Sequence, residues 1–315
     1  MAQEKKVWTP ESPSTGVAPN AGDQFIAMGN QVLVLRRPYT EVSVIAIHAY
    51  IFMLVLVLSF PFQWFFDSDN RADFDTSSML VLASGVAFSC ILCLFVAMHI
   101  RRLKMTPFYF NRHTQHVYGK EGNYLFEGDW RSIQASPTSF IDASNVGAVV
   151  RYRLHMLVSS VRPMPPHRFW QKRMPPGIFQ VCIMSNQQAD PRTDQVAQVW
   201  EYIRSFMAHG PDGLPIPAEP NWWMLPLHQV VLTPSQALRH YVPWRTGEPG
   251  ERQGKKNWLL PFWALLFPLT ISVSLCWWIV CCLLRVHPLV PPVEALEGET
   301  APLVTIEMAS KGVRP

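Results

Sequence analysis

Hydrophobic positions fall into two kinds of pattern along the chain. Three blocks are continuously apolar and lack Asp, Glu, Lys and Arg: residues 42–66, 79–100 and 258–284. Each is about 20 residues or longer, the length that crosses roughly 30 Å of hydrocarbon as a helix. A buried helix of that length would normally carry a polar stripe. The pattern therefore predicts three transmembrane helices, over 40–66, 79–100 and 258–284. The first begins some 40 residues into the chain and ends in bulky aromatics, so it does not read as a cleaved signal peptide.

Elsewhere the apolar positions alternate or recur at helical spacing. "QFIAMGNQVLVLRRP" alternates on either side of Gly29-Asn30 and predicts a hairpin within 23–37. Its strands, over 24–35, are expected to pair with strands after residue 105, giving a split domain. "FYFNR" and "QHVYG" read as short strands, "KEGN" as a turn, and "YLFEGDWRSIQA" as resumed extended structure. Residues 146–160 alternate with Val150, Tyr152, Leu154, Met156 and Val158 on one face. Residues 177–185 alternate with Phe179, Val181 and Ile183 opposite Ile178, Gln180, Cys182 and Met184. These are antiparallel meander signals.

The period then changes. Asp190 suits an N-cap with Pro191 at the first helical position. Val196, Val199, Trp200, Ile203, Phe206 and Met207 form one apolar face, and Gly210-Pro211 ends the helix. A sheet closed by one amphipathic helix is an α+β arrangement. Residues 1–22, rich in Pro, Ser and Gly, read as disordered. Residues 211–257 read as a Pro-rich linker holding a short interfacial helix. Its apolar stretch "WWMLPLHQVVL" is too short to span a bilayer.

Charge sets the expected orientation. Arg36 and Arg37 precede the first block, Arg101, Arg102 and Lys104 follow the second, and Lys255 and Lys256 precede the third. The loop over 67–78 holds four Asp against one Arg. By the positive-inside rule the amino end and the 105–210 domain face the cytoplasm, and the 285–315 tail lies outside. The overall formal charge of +4 says little, but residues 101–257 carry 19 Lys and Arg against 11 Asp and Glu. Such a basic domain suits an anionic leaflet, so a lipid bilayer and anionic headgroups are expected partners. Five of six cysteines lie in the apolar blocks, and no disulfide framework or zinc-ligand spacing is present.

No G-x-S-x-G, phosphate loop, G-x-G-x-x-G, H-E-x-x-H or EF-hand pattern occurs. The expectation is a protein that is not an enzyme and has no cofactor, no metal and no nucleic-acid partner. His113 and His116 make an H-x-x-H that reads as a polar hairpin tip. His48, inside the first block, is a candidate intramembrane polar site, against a neutral histidine bonded between helices. In "MPPHRFWQKRMPP" (164–176), Arg168, Phe169, Trp170, Lys172 and Arg173 are the candidate partner- or lipid-binding residues. The competing reading is a long hairpin loop whose Trp170 folds back on the domain. A homo-oligomer is a further expectation.

The short strands with tight turns, Trp130 and the amphipathic helix at 193–208 resemble pleckstrin-homology-like domains of bacterial membrane proteins. The pattern F-Y-F-N-R-x(4)-V-Y followed by W-R-S-I also looks like a proteobacterial family of three-helix membrane proteins found among type VI secretion effectors. The resemblance implies an α+β protein of a bacterial inner membrane, with three transmembrane helices, a cytoplasmic antiparallel sheet or partial barrel capped by one C-terminal amphipathic helix, and the 285–315 tail in the periplasm. It also implies an immunity protein that binds and neutralises a secreted toxin. The alternative is a membrane-anchored regulatory or lipid-sensing module.

Overall fold

The computed structural model describes residues 7–37, 76–103, 106–121, 124–144, 147–163, 177–184, 194–217 and 290–315, with a few helical residues between 49 and 57 and between 261 and 283. Two compact units result. One contains Met1–Pro38, Met105–Asn221 and Leu289–Pro315, the other Tyr39–Lys104 and Trp222–Pro288.

The first unit is built on two antiparallel sheets. Strands β1 (Phe25–Met28), β2 (Val32–Leu35), β3 (Phe108–Asn111), β4 (His116–Glu121) and β5 (Tyr124–Asp129) join β9 (Val304–Thr305) in the order β5-β4-β3-β2-β1-β9. The second sheet is β6 (Gln134–Ser144), β7 (Gly147–Ser159) and β8 (Ile178–Met184), in sequence order.

Strand composition follows from what covers each face. All four residues of β2, Val-Leu-Val-Leu, are buried, as are all four of β3, Phe-Tyr-Phe-Asn. A strand with one wet face would alternate, so an unbroken buried run means that both faces are covered. Leu33, Leu35, Phe108, Phe110 and Val117 point into the main core, while Val32, Val34, Tyr109 and Tyr118 point into a second, smaller core containing Ala295. The two sheets meet at Gly128, where a Cβ would overlap Val158 and Phe179.

β2 pairs with β3 from Val32↔Asn111 to Leu35↔Phe108, so the hairpin of residues 25–35 belongs to the same sheet as the strands after residue 105. In β7, Leu154, Met156 and Val158 are fully buried, whereas Val150 is 47% exposed. The reason is register: β8 pairs only with Arg153–Ser159, and the rest of β7 runs on with β6 alone.

The 28-residue helix α1 (Thr76–Leu103) belongs to the second unit. Helix α2 (Asp194–His209) belongs to the first and packs on β7, β3 and β6. Val196, Val199, Trp200, Ile203, Phe206 and Met207 are buried there, and so are Glu201 and Tyr202 on the flank. The helix ends at Gly210, whose positive φ of 87° lets its N–H reach the Phe206 carbonyl at 2.8 Å. The short helix α3 (Ile306–Ser310) directly follows β9.

Residues 7–24 are held by long-range bonds that local composition cannot reveal. Trp8 and Ala135 exchange two backbone hydrogen bonds of 2.7 Å, and the Asn20 amide donates to the Gln198 carbonyl. Trp8 stacks on Trp200 at 6.3 Å, Trp200 on Trp130 at 5.6 Å, and Trp130 meets Phe110 edge-on.

Three expectations need correction. Among the described residues no helix is long and apolar enough to cross a membrane. The blocks at 40–66 and 258–284 lie mostly outside the described residues. Among the described residues, the expected α+β membrane protein with three transmembrane helices is replaced by a mainly β architecture of two antiparallel sheets with few helices, against the membrane, inner-membrane and transmembrane assignments. In place of a partial barrel capped by a C-terminal helix, α2 packs in the core and is followed by a further strand. Finally, the multi-pass placement put the 285–315 tail on the opposite side from the main domain, yet β9 pairs with β1 through Ala27↔Thr305 and Met28↔Val304. That segment is part of the same folded unit.

Candidate functional site

The polar chemistry of the first unit collects where β4, β5 and the 290–305 segment meet. Tyr118 and Glu127 are direct partners across the β4–β5 ladder, which puts both side chains on the face away from the main core. The Glu127 side chain is only 11% exposed, and both of its oxygens are engaged. Oε1 lies 2.9 Å from Nδ1 of His116 and accepts from the Tyr118 hydroxyl at 3.5 Å. Oε2 accepts from Nε of Arg162. Arg162 also reaches Glu294, Nη1 to Oε1, at 3.5 Å.

These contacts leave electrostatic signatures. Burial pushes the Tyr118 hydroxyl pKa up, against the lowering effect of its hydrogen bond to Thr114. The hydrogen bond to Glu127 holds the Arg162 guanidinium pKa above its ordinary value. A carboxylate bonded at both oxygens joins chain segments, and here it ties β4, β5 and the Arg162 turn to the segment carrying Glu294.

A groove runs beside this cluster and is filled by residues 294–305. Asn111, the last residue of β3, uses both ends of its amide. Its Oδ1 accepts from the His113 and Thr114 amides, shaping the turn into β4. Its Nδ2 donates to the Ala295 and Glu297 carbonyls at 3.2 and 2.8 Å. At the other end, Glu299 Oε2 accepts from the backbone amides of Gln31 and Val32, at 2.8 and 3.2 Å, in the β1–β2 turn. A Cβ at Gly29 would overlap that carboxylate and push it off the two amides. Between them Ala295 is fully buried against the second core, and Val304 is 1% exposed.

Of the residues expected to form a site, Arg168, Phe169, Trp170, Lys172 and Arg173 lie outside the described residues, as does His48. His113 and His116 are not brought together as a ligand pair: His113 sits in the turn against Gly298, and His116 lies on β4 beside Glu127. Among the described residues no cluster of three or more His, Cys, Asp or Glu could hold a metal. Sequence reasoning missed Glu127, Arg162, Asn111 and Glu299. Asn111 carried a usable signal, an Asn ending an aromatic strand before a four-residue turn. Glu299 carried none, since its partners lie 268 and 267 residues away.

The fold and groove define a two-sheet antiparallel β protein in which a late segment of the chain covers the outer face of the larger sheet. The chain belongs to a family of unknown function, DUF6708, which matches residues 85–289 of its 315. That match takes in β3 to β8 and α2 but not β1, β2 or β9. No curated protein matches the chain. No solved structure matches it either.

Proposed function

We propose that this chain is a binding protein without catalytic chemistry of its own, and that it neutralises a secreted toxin in the manner of a type VI secretion immunity protein. The sequence pattern from Phe108 to Tyr118, resumed at Trp130–Ile133, is one support. The structural observation that favours this reading is the use made of three carboxylates, two buried and one partly buried. Glu127, Glu201 and Glu299 each hold a distant piece of chain: Arg162 at 35 residues' separation, Thr15 at 186 and Gln31 at 268. Charges committed to fixing the surface suit preorganised recognition, which saves ordering entropy on binding.

The test is genetic and biochemical. Deleting this gene together with any secreted effector encoded beside it should leave cells sensitive to effector-producing siblings, and a plasmid copy should restore survival. The purified full chain should retain that effector on a column. Unchanged survival of the deletion strain would refute the proposal.

A further inference from the structure

We infer that the groove bounded by the β1 edge, the Gly29–Gln31 turn and Asn111 is a peptide-recognition site, occupied in cis by residues 294–305. The partner that it fits is an acidic peptide that turns as the resident segment does, through a 3-10 turn at Glu294–Leu296 and Gly298, before a short extended end at Val304–Thr305. This rests on the reading of the chain as a binding protein and names the surface and the chemistry that such a partner would use.

The resident segment is held as a ligand is held. It adds only the two-residue strand Val304–Thr305 to the β1 edge, the pattern of strand addition. Asn111 grips its main-chain carbonyls rather than its side chains. A carboxylate, Glu299, enters a pair of backbone amides at a hairpin turn, a charge-assisted contact of the kind that recognises acidic groups. Two small apolar side chains, Ala295 and Val304, plug the groove, with Leu296 and Leu303 packed partly against its wall.

Each of these contacts would serve equally a peptide that belongs to another molecule. The segment also carries Glu294, Glu297 and Glu299 with no Lys or Arg over 293–305, and it lies beside Arg162 and His113. The recognised pattern is therefore a small apolar residue, a carboxylate four positions later, and a β-branched residue five positions after that. A partner segment with this pattern would take the groove by displacing residues 294–305.

The experiment uses the full chain with a specific protease site inserted after Val290, which is 77% exposed. After cleavage the segment is held by its contacts alone. A fluorescent peptide of residues 291–315 is then added, and its binding is followed by polarisation. Saturable binding with release of the resident copy is expected, and weaker binding to the uncut chain, where the tethered copy competes. The same peptide carrying Glu299→Gln should bind at least about tenfold more weakly, the loss of a charge-assisted bond. A resident copy that never exchanges, or a Gln peptide that binds as well as the parent, overturns the inference.

Adding the adjacent secreted effector separates the two proposals. Competition with the labelled peptide supports both. Capture of the effector without competition refutes the groove as its site and leaves the binding function standing. Peptide exchange with no capture refutes the toxin reading and leaves the groove standing.

Discussion

The Glu201 carboxylate accepts a 2.6 Å hydrogen bond from the Thr15 amide, fastening residues 7–24 to α2. Arg204 binds the other oxygen through Nε and Nη2, at 2.9 and 2.6 Å. Burial alone would raise the Glu201 pKa, but the Thr15 and Arg204 hydrogen bonds outweigh it, and the net shift is downward. A depressed carboxylate pKa stabilises the fold above the unfolded value, about 4.3, and that contribution is lost as pH falls through the folded value. Glu201→Gln is therefore expected to cost about 1.5–3 kcal/mol at pH 7. Urea unfolding should show the gap between parent and variant narrowing below about pH 4. A gap that stays constant from neutral pH to acid would show that the charge is not the source.

The column Trp8–Trp200–Trp130–Phe110 links the leading segment, α2, the turn after β5, and β3. Trp200 is 1% exposed at its centre. Trp200→Ala should destabilise the first unit by about 3–5 kcal/mol, the usual cost of a large aromatic cavity. Trp8→Ala should cost less, because Trp200 stacks on two rings, Trp8 and Trp130, and is the more deeply buried. Denaturant midpoints of the two variants measure the difference, and equal losses would contradict the central role of Trp200.

Gly298 has φ of 78°, and a Cβ there would lie 2.8 Å from the His113 ring. Gly298→Ala is expected to cost about 1–2 kcal/mol from the left-handed backbone alone. The strain should show locally as faster amide hydrogen exchange at Gln31 and Val32, whose donors meet Glu299. Exchange rates indistinguishable from the parent would show that the segment absorbs the change without loosening.

The fragment 85–289, the extent of the family match, lacks β1, β2 and β9. It would expose the β3 edge and the face bearing Tyr109 and Tyr118, which residues 294–305 cover in the full chain. Such an edge pairs readily with other chains. This fragment is expected to aggregate or to be digested throughout by protease, whereas the full chain should yield stable pieces. A soluble, cooperatively unfolding fragment would refute that expectation.

Local pattern made much of the fold readable. Alternation of Phe179, Val181 and Ile183 is seen in β8, and the spacing of Val196 to Met207 is seen in α2. Both depend on which face is covered, which neighbouring residues report. Trp130, in a stretch that reads as extended, stands instead on a 3-10 turn and is 5% exposed. What composition could not convey was attachment. Residues 1–22 read as disordered because the partners of Trp8, Thr15 and Asn20, which are Ala135, Glu201 and Gln198, lie more than a hundred positions away. β9 is two residues long, too short for any period to appear. The groove fared worst, since Asn111 and Glu299 make their decisive bonds to main-chain atoms, whose chemistry is the same at every position.

The pairing of β9 with β1 also has a meaning in time. A ribosome working at roughly 5–20 residues per second needs on the order of tens of seconds to travel from Met28 to Val304. Throughout that interval β1 has been made and its neighbour has not. The nascent protein therefore carries an open strand edge whose closure waits on late translation, and an interrupted chain would display that edge to holdase chaperones as a mark of incompleteness.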